Sequence, residues 1–137
     1  AIGNPLLIKY LNDVKYSFNS YTMSQLALRL GTEALRDEAY FQETVAKIIK
    51  TREQAKRRLA ELGFRLPDSS ANFLFVTHPG YPAKELYEAL KKEDIYVRYF
   101  DAPRIDQYLR ITIGTDEQME ALYAFLERYE ALHRKER

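Results

Sequence analysis

Asp37 to Leu62 reads DEAYFQETVAKIIKTREQAKRRLAEL, and its apolar residues keep one rhythm. Phe41, Val45, Ile48, Ala55, Leu59 and Leu62 follow alternating steps of four and three, with Arg52 in the one missing place. Steps of three and four return to one face of an α-helix, so this spacing predicts a helix about seven turns long and excludes strands. Asp37 suits the N-cap, where its carboxylate can accept from an unpaired backbone N–H. Gly63 suits the left-handed position that closes a helix, and Phe64 is placed to fold back on Leu59. A helix of this length suits a connector between two bodies.

Downstream the pattern changes to alternating strand and helix. Asn72–Thr77 (NFLFVT) reads as a strand, His78-Pro79-Gly80-Tyr81 as a turn, and Pro82 as the first residue of a helix carrying Leu86 and Leu90. Ile95–Phe100 and Gln107–Ile113 read as two more strands, before Gly114. Thr115-Asp116-Glu117-Gln118 matches a capping box for a last helix whose buried face carries Met119, Leu122, Leu126 and Tyr129. Glu130–Arg137 is charged and is expected to fray. Upstream, Asn4-Pro5 is a turn into a helix with Leu6, Leu7, Ile8 and Leu11, and a second helix is expected from Thr22 to Leu30, ending at Gly31. The order is helix, helix, long helix, then β-α-β-β-α, an α+β (α/β) arrangement in which a small sheet carries helices on one face. The first 35 or so residues have no evident partner layer and read as the edge of a larger domain. Ala1-Ile2-Gly3-Asn4-Pro5 has neither an initiator Met nor a signal-peptide pattern and reads as a chain entered part-way.

Composition narrows the chemistry. A chain of 137 residues suffices for one core and not for two full domains. A net charge of +1 gives no electrostatic reason to expect a nucleic-acid or membrane partner. The absence of cysteine excludes disulfides and thiolate catalysis, and with His78 and His133 as the only histidines no metal site is expected. No stretch reaches the roughly 18 apolar residues of a membrane span.

The residues with most chemical promise are two arginines. Along Gln107–Ile113, Leu109, Ile111 and Ile113 share one face, and Tyr108, Arg110 and Thr112 the other. Arg98 shares its face with Tyr96 and Phe100. If Asp101–Asp106 joins the two strands as a hairpin, Arg98 and Arg110 fall within about one position of being cross-strand neighbours. Paired guanidiniums each offer two parallel N–H donors, which suits a phosphate or a carboxylate. The ordinary alternative is a solvated sheet face on which Asp101 or Asp106 neutralises them. His78 reads as a surface residue in its turn, Asn72 as a turn residue, and Tyr16, Tyr21 and Tyr108 as packing. Lys56-Arg57-Arg58 reads as solvated charge. No phosphate loop, nucleophile motif or paired-carboxylate motif is present, so no catalytic residue is expected in this chain.

Several segments together resemble a known family. Ala1–Pro5, Tyr16-Ser17-Phe18-Asn19-Ser20, Ser70–Phe75, Tyr96-Val97-Arg98 and Leu109-Arg110-Ile111-Thr112-Ile113-Gly114-Thr115 occur in the order and spacing of the histidinol-phosphate aminotransferases. These are fold-type I enzymes that use pyridoxal 5'-phosphate. The resemblance covers essentially the whole chain and is most specific in the Arg-Ile-Thr-Ile-Gly-Thr run with its upstream Val-Arg. It implies a terminal piece of the large cofactor domain at 1–36, a connecting helix at 37–63 and a small C-terminal domain at 64–137. It implies amino transfer between glutamate and histidinol phosphate by a cytoplasmic homodimer of histidine biosynthesis. Arg110 would hold the substrate carboxylate, and Arg98 would help bind the phosphate. The family's cofactor-linking lysine and the aspartate facing the pyridine nitrogen would lie upstream of Ala1, so the chain alone is expected to be inactive and free of the cofactor. Leu6 departs from the family's usual polar residue, and Asp94 from a frequent glycine. Other readings are another aminotransferase, a threonine-phosphate decarboxylase, a free-standing anion-binding module, or a packing fragment with exposed apolar faces at Leu6–Leu11 and Leu26–Leu30.

Overall fold

Helix ends show most clearly how this sequence becomes structure. In the computed structural model, which describes residues 1–18 and 20–134, the long helix α3 spans Glu38–Glu61. Asp37 caps it as expected, its Oδ1 accepting from Tyr40 N at 3.1 Å. At the other end Gly63 takes φ +81°, Gly63 N donates to Ala60 O and Phe64 N to Leu59 O, both at 3.0 Å. Those two bonds satisfy carbonyls that a helix end leaves open, and they turn Phe64 into the core that also holds Leu59. Arg52, the polar residue in the apolar stripe, keeps a side chain only 11% exposed. Its guanidinium donates to Ala71 O at 3.2 Å and Glu53 Oε1 at 3.1 Å, which is how a charge tolerates that place.

Two compact units are present, Ala1–Phe41 and Gln42–Arg137. In the first, α1 (Pro5–Phe18) and α2 (Gln25–Arg36) are both longer than their apolar residues suggested. Asn4 Oδ1 caps α1 through Leu6 N at 2.9 Å. The helix runs on through Lys15–Phe18, and within it Ser17 Oγ donates to Asp13 O at 2.6 Å. Ser24, not Thr22, caps α2, and Gly31 lies inside this helix rather than ending it. An interior glycine weakens a helix by about 1 kcal/mol and does not by itself stop one. Asn19 lies outside the described residues. Among the described residues neither helix buries an apolar face: Leu7, Leu26 and Leu30 are each more than 60% exposed. The described residues of Ala1–Phe41 therefore form no core of their own.

The second unit has one. Its three-stranded antiparallel sheet has the order β1-β3-β2, with β1 at Phe73–Val76, β2 at Arg98–Tyr99 and β3 at Leu109–Thr112. Helices α4 (Ala83–Lys92) and α5 (Asp116–Arg134), together with α3, supply the rest of its core. Leu74 pairs with Ile111 and Val76 with Leu109, and all four are buried. Pro82 stands one place earlier than expected, as the N-cap of α4. The capping box of α5 forms in both directions: Thr115 N donates to Gln118 Oε1 and Gln118 N to Thr115 Oγ1. Helix α5 continues through Tyr129 to Arg134, and 135–137 lie outside the described residues.

Strand β2 is shorter than the expected Ile95–Phe100, for a reason at the end of α4. Asp94 adopts φ +58°, Asp94 N donates to Lys91 O and Ile95 N to Leu90 O. This repeats the closure seen at Gly63, with an aspartate in the left-handed position, a conformation Asp tolerates better than most residues. Ile95 thus spends its N–H on the helix, and only Arg98 and Tyr99 join the ladder.

Three charged or polar readings are corrected by packing. Lys56 is not free solvated charge: it reaches Asp68 at 2.6 Å and Glu53 at 2.9 Å, and the hydrogen bond from Lys56 holds the Asp68 carboxyl below its usual range. Arg58 lies over the Tyr123 ring at 4.9 Å and pairs with Glu127 at 2.9 Å. His78 is half-buried, stacked on Tyr81 at 4.3 Å and edge-on to Phe64 at 4.9 Å.

Tyr123 is 1% exposed, and its hydroxyl finds no hydrogen-bond partner. Burial, reinforced by Glu120, pushes this phenol from 10.0 up to about 12. The unfolded chain releases the proton near its ordinary value while the folded chain retains it, so stability falls as pH rises from 10 towards 12. Tyr123→Phe removes an unsatisfied polar group, and at neutral pH urea unfolding should show stability unchanged or raised by up to about 1 kcal/mol. The variant should also lose part of that alkaline decline. A clear loss of stability at pH 7 would contradict an unpartnered hydroxyl.

Candidate functional site

The sheet has two chemically distinct faces because consecutive side chains of a strand point opposite ways. Leu74, Val76, Leu109 and Ile111 point into the helices. The other face carries Phe75, Arg110 and Arg98 in one row across all three strands: Phe75 is the β1 partner of Arg110, and Arg98 its β2 partner. The expected neighbours are thus directly opposite one another, in register.

Two like charges in that position repel unless something offsets them. Neither arginine forms an ion pair with Asp101, Asp106 or any other carboxylate among the described residues. Aromatic rings stand there instead. The Arg110 guanidinium lies over Phe73 at 5.3 Å and Phe100 at 5.9 Å, and that of Arg98 over Phe100 at 5.5 Å. Ring faces attract cations without occupying their N–H donors. Arg110 is half-buried and its Nε is buried with no hydrogen-bond partner, whereas Arg98 is exposed. Unspent donors on two adjacent cations are what an anion binds.

Sequence reasoning singled out both arginines and placed Phe100 beside Arg98. It missed Phe73 and Phe75, whose strand was read only for its apolar character, whereas its reading of Tyr108 as packing agrees with the structure. Tyr108 stacks on Phe75 at 4.5 Å with planes 7° apart, and these two rings also wall a cavity of about 420 Å³ with Arg65 and Arg104. The alternation of Phe73 and Phe75 about Leu74 was the signal that would have put both rings on the arginine face. Tyr16 and Tyr21 are exposed and do not pack as expected.

Pyridoxal phosphate needs an amine for its aldehyde, and the described lysines stand on α1, α3 and α4, none on the sheet. The arginine face therefore offers N–H donors to an anionic group and no amine to that cofactor. Among the described residues no group of three or more His, Asp or Glu could hold a metal ion, and no helix is long and apolar enough to cross a membrane.

Comparison with known proteins bears on the family and the fold. The histidinol-phosphate aminotransferase of Brachyspira hyodysenteriae is 51% identical over 120 residues, 88% of this chain and 34% of that protein. That of Lactococcus lactis is 50% identical over 129 residues, 94% of this chain and 36% of that protein. The chain spans about a third of the length of the curated relatives it matches. Among solved structures, the histidinol-phosphate aminotransferase of Clostridium acetobutylicum shares the fold with a TM-score of 0.74 at 24% identity, over 90% of this chain and 38% of that one. That of Sinorhizobium meliloti, solved in complex with pyridoxal-5'-phosphate, gives a TM-score of 0.72 at 25% identity, over 88% of this chain and 34% of that one. Residues 1–126 match the family model of aminotransferase class I and II, and the chain belongs to that family.

Proposed function

We propose that this chain is the C-terminal part of a histidinol-phosphate aminotransferase, a pyridoxal-phosphate enzyme of histidine biosynthesis, and that its task is to anchor substrates. The observation that carries this is the Arg98–Arg110 pair, directly opposed across two strands with no carboxylate partner among the described residues. Identity near 50% to enzymes of that name supports the choice of reaction. The intact enzyme must accept two anions in turn. Glutamate presents a carboxylate, whereas histidinol phosphate lacks an α-carboxylate and presents a phosphate. A fixed pair of guanidiniums serves both.

In this reading 1–36 closes the large cofactor-binding domain, 37–63 is the connecting helix, and 64–137 is the small domain. The exposed apolar faces of α1 and α2 are then covered by the rest of the enzyme, a cytoplasmic homodimer. The cofactor supplies the amino-transfer chemistry and is held by groups outside this chain. Arg110 binds the glutamate carboxylate, and shares the phosphate of histidinol phosphate with Arg98, from the centre of the sheet, where its half-buried setting limits competition from water. Arg98, at the exposed edge, reaches the phosphate.

Amino transfer from histidinol phosphate to 2-oxoglutarate by the intact enzyme tests the reaction; carbon dioxide release from threonine phosphate without amino transfer would refute it. Arg98→Ala should raise KM for histidinol phosphate about tenfold or more and that for glutamate less than about threefold, because one charged hydrogen-bond donor contributes about 1.5–3 kcal/mol. Equal effects on the two substrates would remove the phosphate role from Arg98.

A further inference from the structure

We propose that Phe100 is a positioning residue of the anion site, one ring that holds both guanidiniums in place for a single bound anion; this rests on the reading of Arg98 and Arg110 just given. The ring lies 5.5 Å from the Arg98 guanidinium carbon and 5.9 Å from that of Arg110. Phe73 approaches Arg110, at 5.3 Å, so the shared position falls to Phe100. Its own orientation is set by hydrocarbon packing: Phe75 meets it edge-on at 6.3 Å and 65°, and Phe75 is itself stacked on Tyr108.

The choice of an aromatic group follows from what the site has to leave free. A carboxylate between two arginines would relieve their repulsion, but it would also neutralise the charge and occupy the N–H donors. A ring face attracts both cations through its quadrupole and leaves their N–H edges available. Phe100 thus lowers the cost of holding two like charges together while the site awaits its anion. An aliphatic side chain of similar size would fill the space without that attraction, and the guanidiniums would splay apart.

The test uses the intact enzyme with Phe100→Leu, Phe100→Tyr and, as a control for the site itself, Arg110→Ala. Steady-state kinetics with glutamate and with histidinol phosphate are read beside calorimetric binding of inorganic phosphate. Phe100→Leu should raise both KM values and weaken phosphate binding by about fivefold, with kcat within about twofold of the parent, while Phe100→Tyr restores all of them to within about twofold. Should leucine unfold the domain, Phe100→Met carries the same expectation with an unbranched side chain that adapts better to an irregular space. Unchanged KM and phosphate binding in the ring-free variant, beside a damaged Arg110→Ala, would overturn the role of Phe100 and leave the anion site standing. A tyrosine variant as impaired as leucine would also overturn it. If Arg110→Ala itself binds phosphate and both substrates normally, the anion site falls, and the role of Phe100 with it.

Discussion

Arg110→Ala in the intact enzyme should lower kcat/KM for glutamate and for histidinol phosphate together, each by at least about a hundredfold. A bidentate guanidinium contributes two charge-assisted hydrogen bonds, each about 1.5–3 kcal/mol, and a half-buried site gives water little chance to replace them. The folded protein should not suffer. Among the described residues Arg110 Nε has no hydrogen-bond partner, and its guanidinium faces another across the strand pair, so alanine removes a repulsion that offsets the lost ring contacts with Phe73 and Phe100. Thermal unfolding should therefore hold steady while affinity collapses. Near-parental kinetics with both substrates would show that the arginine row does not anchor them.

Leu74→Ala should do the opposite. Leu74 is fully buried, pairs with Ile111, and lies next to Phe75 in sequence but on the other face. Truncating such a leucine leaves a cavity and costs about 3–4 kcal/mol, to be read as a lower urea midpoint. Below that midpoint both KM values should stay within about twofold, since Phe75 and Arg110 keep their places. A large change in KM without loss of stability would mean that the two faces are not independent.

Much of this was legible before any coordinates. The four-and-three spacing from Phe41 to Leu62 located α3 to within a residue at each end, because a long amphipathic helix with an aspartate cap and a terminal glycine is strongly specified locally. The same was true of the Thr115–Gln118 capping box. Strand length was not. Nothing in Ile95–Val97 announces that its first N–H is committed to the end of α4, since that depends on Asp94 adopting a left-handed backbone. Gly31 misled for a related reason: the capping of α2 by Ser24 and its continuation to Arg36 outweigh one weak residue.

At the site, the arginines were legible because strand alternation fixes faces, and a hairpin brings partners within a place or two. Their register was not, because it depends on how residues between Asp101 and Tyr108 turn. Ile105 N bonds to Ala102 O, Tyr108 N to Ile105 O, and Arg104 takes φ +75°. The half-buried setting of His78 and the pairing of Lys56 with Asp68 were invisible for the same reason. Each depends on a contact more than ten residues away in the chain.

The alternation of β3 also governs how this sequence can change in length. An extra residue inside Leu109–Thr112 would exchange the two faces from that point on, sending a guanidinium into the hydrocarbon interior and a leucine or isoleucine out of it. The same extra residue in the turn between Asp101 and Gln107 leaves every side chain of the strand where it was. Drift in chain length among descendants of this sequence is therefore channelled into the turn, and the four residues of the strand are held to a fixed count by the core and the arginine face at once.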